Sequence, residues 1–326
     1  MKSNSSTSYL TILAQILIGI TFIYSGYVKL VDPIGTSIKL TEYFGEDVLN
    51  LTFLEPYVMP LGILLILAEL LLGIMVLLGY KPKFSIWATA LLMLVFLFLT
   101  GYSAIFDKVT DCGCFGDALK LTAWETFYKN IFFSVLVLVL LFNSTNLKRW
   151  FNNRITNFIP ILSLVIGLFI TYYVLHHLPI HDFRPYAIGN SIPEGMKDVA
   201  GEDFPPIHDF ILETDTEDLT DFVLQEDKVM LIISYNLSKS DLGAFNSIKN
   251  VTDKALSNGY SVYALSASYI DDFNVIKKES NLAFDMLYCD ETTLKTMIRA
   301  NPGIMTLEKG VITGKWNWRD ATKIQN

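Results

Sequence analysis

The chain has 326 residues, 52% of them hydrophobic, with a net charge of −8 and a mean hydropathy of +0.39. So apolar a composition excludes an ordinary soluble protein. The charge is unevenly spread, with 11 basic and 10 acidic side chains in residues 1–180 against 14 and 23 in residues 181–326. The second part is therefore polar and acidic, without the basic stripe that nucleic acid needs, and that class of partner is excluded.

Five apolar stretches approach or exceed the roughly 20 residues a helix needs to cross a bilayer. The first, Tyr9–Val28, has only Lys2 before it and no small-residue cleavage site after it, so it reads as a span rather than a signal peptide. Ser37–Leu49 is expected as an interfacial helix. The second stretch, Tyr57–Tyr80, carries Glu69 near its middle. A carboxylate there is costly, must face the bundle interior and points to function. Its candidate roles are a relay in proton or electron transfer, a wall of a quinone path, or a structural hydrogen bond. Lys29 is not expected to reach it, because Glu69 lies about 18 Å down its helix at 1.5 Å per residue. Gly62, Gly73 and Gly79 are expected to permit close helix contacts.

The third and fourth stretches are Phe84–Phe106 and Ala123–Phe142, the latter interrupted by Glu125 and Lys129. Between them runs Asp111-Cys112-Gly113-Cys114-Phe115-Gly116-Asp117, which holds two of the three cysteines. Cα atoms two residues apart in extended chain stand near the limit for a disulfide, about 6.8 Å. Gly113 can shorten that gap. A bond here would be strained and therefore easily reduced. It closes almost no loop, so its stabilisation falls below the roughly 3 kcal/mol of a 15-residue loop. Three readings stay open for the pair: redox exchange, inert or purely structural thiols, and metal ligation. Lys108, Lys120 and Lys129 favour the thiolate, while Asp111 and Asp117 oppose it.

The fifth stretch is Ile155–Leu178. Lys81 and Lys83 fill one short loop, and Lys148, Arg149 and Arg154 another. The excess of basic residues places both loops in the cytoplasm. The N-terminus is then cytoplasmic, and the Cys-Gly-Cys loop and everything after Leu178 lie outside. In a bacterium that is the periplasm, where disulfides persist. His176, His177, His181 and His208 cluster at or after the last span. With Cys112 and Cys114, the first three are candidate ligands for copper or zinc, although the spacing fits no established motif. Polar anchoring of a helix end is the plainer reading.

Residues 181–206, rich in proline and glycine, are expected as a linker. Beyond them strands and helices alternate. Strands are expected at Lys228–Ser234, Tyr260–Ser266 and Phe284–Tyr288, with helices at Leu242–Leu256, Ile270–Glu279 and Glu291–Ala300. Ile304–Leu307 and Val311–Lys315, joined by Lys309-Gly310, form a hairpin. Such alternation implies a mainly parallel sheet covered on both faces. The order resembles a thioredoxin fold. The likeness rests on the strand running into a helix at Lys228–Leu256, on Asn301-Pro302 before a strand, where the family keeps a cis-proline, and on the closing hairpin. Pro302 is accordingly expected to be cis. The stretch after the first core strand, Tyr235-Asn236-Leu237-Ser238-Lys239-Ser240, has no cysteine, so the domain resembles a thioredoxin without its own CxxC chemistry. Cys289 reads as a buried structural thiol.

Ser25-Gly26-Tyr27-Val28-Lys29-Leu30-Val31-Asp32-Pro33, Ala68-Glu69-Leu70-Leu71-Leu72-Gly73 and Cys112-Gly113-Cys114-Phe115-Gly116 together resemble the DoxX-type membrane proteins, in particular the MauE-like branch. The likeness covers residues 8–145. It implies a four-helix membrane bundle and, from the association of MauE with disulfide formation in a periplasmic dehydrogenase, thiol redox or assembly work. The fifth span and the soluble domain lie outside that core, an arrangement similar to DoxX proteins of Bacteroidetes. The expected organisation is a four-helix membrane domain (1–150), a fifth transmembrane helix (151–180), a linker (181–206) and a thioredoxin-like domain (207–326). The leading expectation is an inner-membrane protein for thiol–disulfide exchange or redox-linked maturation of exported proteins. Cys112 and Cys114 would exchange, Glu69 would relay, and a quinone would be the acceptor class. The alternatives are a non-enzymatic scaffold with a partner-binding soluble domain and a metal-handling membrane protein.

Overall fold

The computed structural model describes residues 8–109, 115–119, 121–144, 147–199 and 204–324. It divides into two compact units, Met1–Leu175 and His176–Asn326. The first unit holds α1 (Tyr9–Val31), α2 (Pro33–Phe44), α3 (Val58–Leu78), α4 (Pro82–Phe106), α5 (Ala123–Phe142) and α6 (Asn153–His176, whose last residue falls in the second unit). All but α2 are long and apolar enough to cross a membrane, as the five apolar stretches imply. Their ends follow local chemistry. Asp32 accepts from Gly35 N at 3.0 Å and starts α2, with Pro33 at the first helical position. Thr122 and Glu125 form a reciprocal capping box at α5. Gly79 takes the left-handed conformation, φ 64°, that ends α3.

α1 and α3 form the centre of the bundle. Half of each apolar window is buried, against 22% for α5 and α6. A Cβ on Gly26 would lie 2.8 Å from Leu70 N, and one on Gly73 would lie 2.8 Å from Ile23 N, so the two backbones touch. Gly73 thus does what the sequence implies. Gly62 does so against α2, where a Cβ would stand 3.3 Å from Ser37 Oγ. Leu64, Leu91, Phe98, Phe132 and Phe169 are exposed around the outside, an exterior suited to hydrocarbon rather than water. The chain is a membrane protein.

At one end of the bundle, buried Gln15 ties three segments together. Its Nε2 donates to the carbonyls of Val76 (3.0 Å), Leu77 (3.0 Å) and Lys148 (2.9 Å), and its Oε1 accepts from Lys148 N at 3.0 Å. Leu77 O lies in the last turn of α3, where carbonyls lack an intrahelical donor, while Val76 O also accepts from Gly79 N at 3.1 Å. The basic α3–α4 turn and the segment before α6 therefore share one end of the bundle.

The second unit contains α7 (Ile192–Gly195), α8 (Thr220–Gln225), β1 (Val229–Ile233), α9 (Ala244–Ser257), β2 (Ser261–Ser266), α10 (Ile270–Glu279), β3 (Asp285–Tyr288), α11 (Glu291–Met297), β4 (Gly303–Glu308) and β5 (Val311–Asn317). The sheet order is β3-β2-β1-β4-β5, with β1, β2 and β3 parallel and β4 and β5 antiparallel. All five residues of β1 are buried. Val229, Leu231 and Ile233 face one core with Leu294 and Met305, while Met230 and Ile232 face the other with Phe245 and Phe273. The expected sheet is thus present, covered on both faces and consistent with a thioredoxin-like domain. The Asn301–Pro302 bond is cis.

Part of the expected linker is built into this unit. Gly189 N donates to Ile312 O at 2.8 Å, Ile312 N to Asn190 O at 2.9 Å and Ile192 N to Gly310 O at 2.9 Å. Residues 189–192 therefore cover the free edge of β5. Proline and glycine content signals irregular backbone but not whether that backbone is docked.

Candidate functional site in the helical bundle

Lys29 and Glu69 meet inside the bundle. Lys29 Nζ donates to Glu69 Oε2 at 2.9 Å and to Ser25 Oγ, one turn back on α1, at 2.7 Å. Both side chains are buried, at 7% and 3% exposure. The Phe96 ring of α4 lies 5.6 Å from the ammonium. Each charge is thus paired before it enters the apolar layer, which is the condition for either to be tolerated there.

This corrects the expectation that Lys29 cannot reach Glu69. The depth count assumed that the first two spans end at one level. They do not, because Gly26 lies against Leu70, which leaves the first turns of α3 beyond the end of α1. α2 packs there instead. The spacing of Ser25 and Lys29 at i and i+4 was legible, but the stagger between the helices was not.

Two further polar contacts lie among α2, α4 and α5. Tyr43 Oη and Ser103 Oγ are 3.1 Å apart, and Asn130 Nδ2 donates to Thr100 Oγ1 at 3.1 Å. All four residues are buried.

Cys112 and Cys114 lie outside the described residues, and so do Asp111 and Gly113. The chain directly after them seats on α1. The Phe115 ring is 5.7 Å from that of Tyr24, and a Cβ on Gly116 would lie 3.1 Å from Val28 Cγ1. Tyr24 and Val28 directly precede Ser25 and Lys29 in sequence, so the flank of the Cys-Gly-Cys loop rests on the turn that carries the ion pair. Lys129 of α5 stands over the Phe115 ring, 4.1 Å from its centroid.

In the second unit the turn after β1 is built from hydroxyls and amides. Ser234 Oγ and Ser240 Oγ are hydrogen-bonded to each other. Ser234 donates to Asn301 Oδ1 at 3.2 Å, and Asn301 Nδ2 donates to Asn236 O at 2.8 Å. No sulfur nucleophile is present in this turn. Cys289 is buried, and burial first, then the neighbouring Asp290, pushes its thiol up to about 12. It is held as an unreactive thiol.

Three of the four histidines have separate contacts. His177 Nδ1 pairs with Asp320 Oδ2 at 2.6 Å, the His181 ring lies 6.2 Å from that of Phe183, and His208 Nδ1 is 3.3 Å from Pro205 O. Among the described residues no three His, Cys, Asp or Glu side chains gather as a metal site.

One cluster escaped the sequence reading. Lys315 Nζ donates to Asp182 Oδ2 at 2.6 Å and to Tyr186 O at 2.9 Å, while Arg184 Nε donates to Asp182 Oδ1 at 2.7 Å. Burial, reinforced by the charge of Arg184, pushes Lys315 down to about 7. Burial also works against the Asp182 carboxylate, but Arg184 and Lys315 together hold it below its usual range. Strict alternation from buried Ile312 would turn Lys315 outward. The register shift between Thr306 and Leu307 places Gly314 opposite Thr306 and Lys315 opposite core residue Met305.

Residues 7–143 match the family model described as methylamine utilisation protein MauE. The chain is also similar to "Protein TlpB" of Flavobacterium psychrophilum, 28% identical over 198 residues. That alignment covers 59% of this chain and 52% of the relative, so the match spans about half the relative's length. The first unit is thus MauE-like, with the Cys-Gly-Cys loop, Lys29 and Glu69 inside the matched region.

Proposed function

We propose that this chain carries out thiol–disulfide exchange in the maturation of exported proteins, with Cys112 and Cys114 as the exchanging pair. The observation that carries the reading is the seating of the Phe115–Gly116 flank on Tyr24 and Val28, in the turn of α1 that also carries Ser25 and Lys29, within the MauE-like region. In exchange, a thiolate attacks a disulfide sulfur, a mixed disulfide forms, and the displaced sulfur takes a proton. Glu69, held by Lys29, is the intramembrane group that relays protons, and a membrane quinone is the acceptor class that reoxidises the pair. The loop and the second unit face the periplasm, where the soluble domain docks the substrate without chemistry of its own. The matching test is thiol trapping of Cys112 and Cys114 in intact cells, with and without a respiratory inhibitor. A pair that is oxidised in respiring cells and becomes reduced under inhibition supports the reading. An unresponsive pair contradicts it.

A second reading has its own support. The turn at Asn236–Ser240 is closed by hydrogen bonds and lacks cysteine, as suits a domain that binds a partner rather than one that exchanges thiols. On that reading the chain is an assembly factor, and serine at 112 and 114 leaves its cellular role intact.

A further inference from the structure

We propose that Lys81, Lys148 and Arg149 form a binding site for the phosphodiester headgroup of an anionic phospholipid, at the end of the bundle where Gln15 joins the α3–α4 turn to the segment before α6. The site is independent of the chemistry of the Cys-Gly-Cys loop.

Charge at this end is one-sided. No acidic residue occurs between Glu69 and Asp107, where Lys81 and Lys83 fall, or between Glu125 and Asp182, where Lys148, Arg149 and Arg154 fall. All five cations are exposed. The protein therefore supplies no carboxylate close in sequence to neutralise them, and the complementary charge has to come from outside.

The fold also holds the central cations in place. Gln15 clamps the Lys148 backbone from both sides, accepting from its N at 3.0 Å and donating to its O at 2.9 Å. Across this contact, a Cβ on Gly79 would lie 2.7 Å from Lys148 O and 3.4 Å from Arg149 Cγ. Lys81 follows Gly79 by two residues, so its Cα lies within about 7 Å of the Gly79 Cα. Lys148 Nζ stands 4.2 Å from the centroid of the Trp150 ring, and Lys81 Nζ 5.4 Å from that of Tyr80. A ring face steadies an ammonium on one side and leaves N–H donors for a phosphate oxygen on the other. Arg149 Nη1 donates to Asn153 Oδ1 at 3.3 Å, which orients the guanidinium while its remaining donors suit a phosphate.

The surroundings select a lipid over a soluble anion. Phe84, Trp87, Trp150 and Phe151 are exposed around the cations, and Leu91 and Leu94 continue the apolar exterior along α4. Tryptophan collects where membrane meets water, with hydrocarbon beyond it. A molecule with its phosphate on the cations and its acyl chains along that exterior satisfies both surfaces. A zwitterionic lipid brings its own cation, so an anionic headgroup is the better match.

The test is native mass spectrometry of the full chain in non-ionic detergent, titrated separately with phosphatidylglycerol, phosphatidylcholine and glycerol phosphate. The parent should bind phosphatidylglycerol more tightly than the other two. The double variant Lys148→Gln/Arg149→Gln should weaken phosphatidylglycerol about thirtyfold, at about fivefold for each cation removed, and leave phosphatidylcholine unchanged. Both positions are exposed, so the fold is not at risk. Trp150→Leu, which keeps every charge, should also weaken phosphatidylglycerol, and Lys39→Gln, on the exposed Lys39–Glu42 pair of α2, should not. Equal binding of the two lipids by the parent overturns the proposal, as does an unchanged affinity in the double variant. Glycerol phosphate bound as tightly as phosphatidylglycerol would make this a soluble-phosphate site and overturn the lipid assignment.

Discussion

Lys29 and Glu69 are both ionisable and both buried inside the bundle, and each is tolerable only while the other is present. Removing one partner from a buried pair costs about 3–5 kcal/mol, whereas replacing both by apolar residues is often neutral. Lys29→Met and Glu69→Leu should therefore each reduce the amount of protein recovered from the membrane, and the double variant should restore it. If the pair serves the chemistry, the restored double variant should still fail to cycle Cys112 and Cys114, as read by thiol trapping. A double variant that inserts and cycles normally would make the pair purely structural.

Lys315 gives the second unit a pH dependence whose sign follows from its position. Its folded value is about 7, below the ordinary lysine value of 10.5, so between these the unfolded chain binds more protons than the folded one. Stability then rises with pH across that window and is lowest below about 7, where the buried ammonium must be kept charged. The urea midpoint for exposure of Cys289 to a thiol reagent, measured on the full chain, should climb from pH 7 to pH 10. Lys315→Met should flatten that rise. A midpoint falling over the same range in the parent would contradict the assignment.

At the scale of elements, the α1–α3 contact depends on the absence of side chains at Gly26 and Gly73. A Cβ at either would lie 2.8 Å from a backbone nitrogen, and backbone cannot swing aside as a side chain can. Gly73→Leu should cost at the upper end of the ~1–3 kcal/mol of overpacking, or more. The expected outcome is a lower melting temperature in detergent and loss of the Lys29–Glu69 contact, since both depend on the same stagger. An unchanged melting temperature would mean the helices are less closely apposed.

The elements themselves were legible because their signals are local. Apolar run length marked all five long helices, and Ile270–Glu279 coincides with α10 to the residue. Features set by one element's position against another were not. The stagger of α1 against α3 hid the Lys29 partner, and the bulge in β5 hid Lys315. The edge pairing of residues 189–192 made part of an expected linker into structure. In the candidate site, Glu69 and the cysteines stood out by residue type, and the Lys29 contact with Glu69 emerged only from the packing of α1 on α3.

For the whole molecule, both basic loops stand at one end of the bundle, joined through Gln15 and Lys148, and on the positive-inside rule we propose that this end is cytoplasmic. A reporter active only in the periplasm should work when fused after Asn326 and fail when fused at Lys81. The reverse result would put the Cys-Gly-Cys loop in a reducing compartment and remove the setting that exchange requires.

The central claim is that Cys112 and Cys114 pass electrons, and the most direct measurement is trapping of the mixed disulfide. With Cys112→Ser and Cys114→Ser in separate full-length chains, cells are quenched with acid and alkylated, and covalent adducts are resolved without reductant. The account predicts that both variants insert and melt like the parent, because the bond closes too short a loop to stabilise much. It also predicts that one of them accumulates an exported protein in a reductant-sensitive adduct, while neither supports the cellular role of the parent. Two serine variants that form no adduct and fully replace the parent would contradict it.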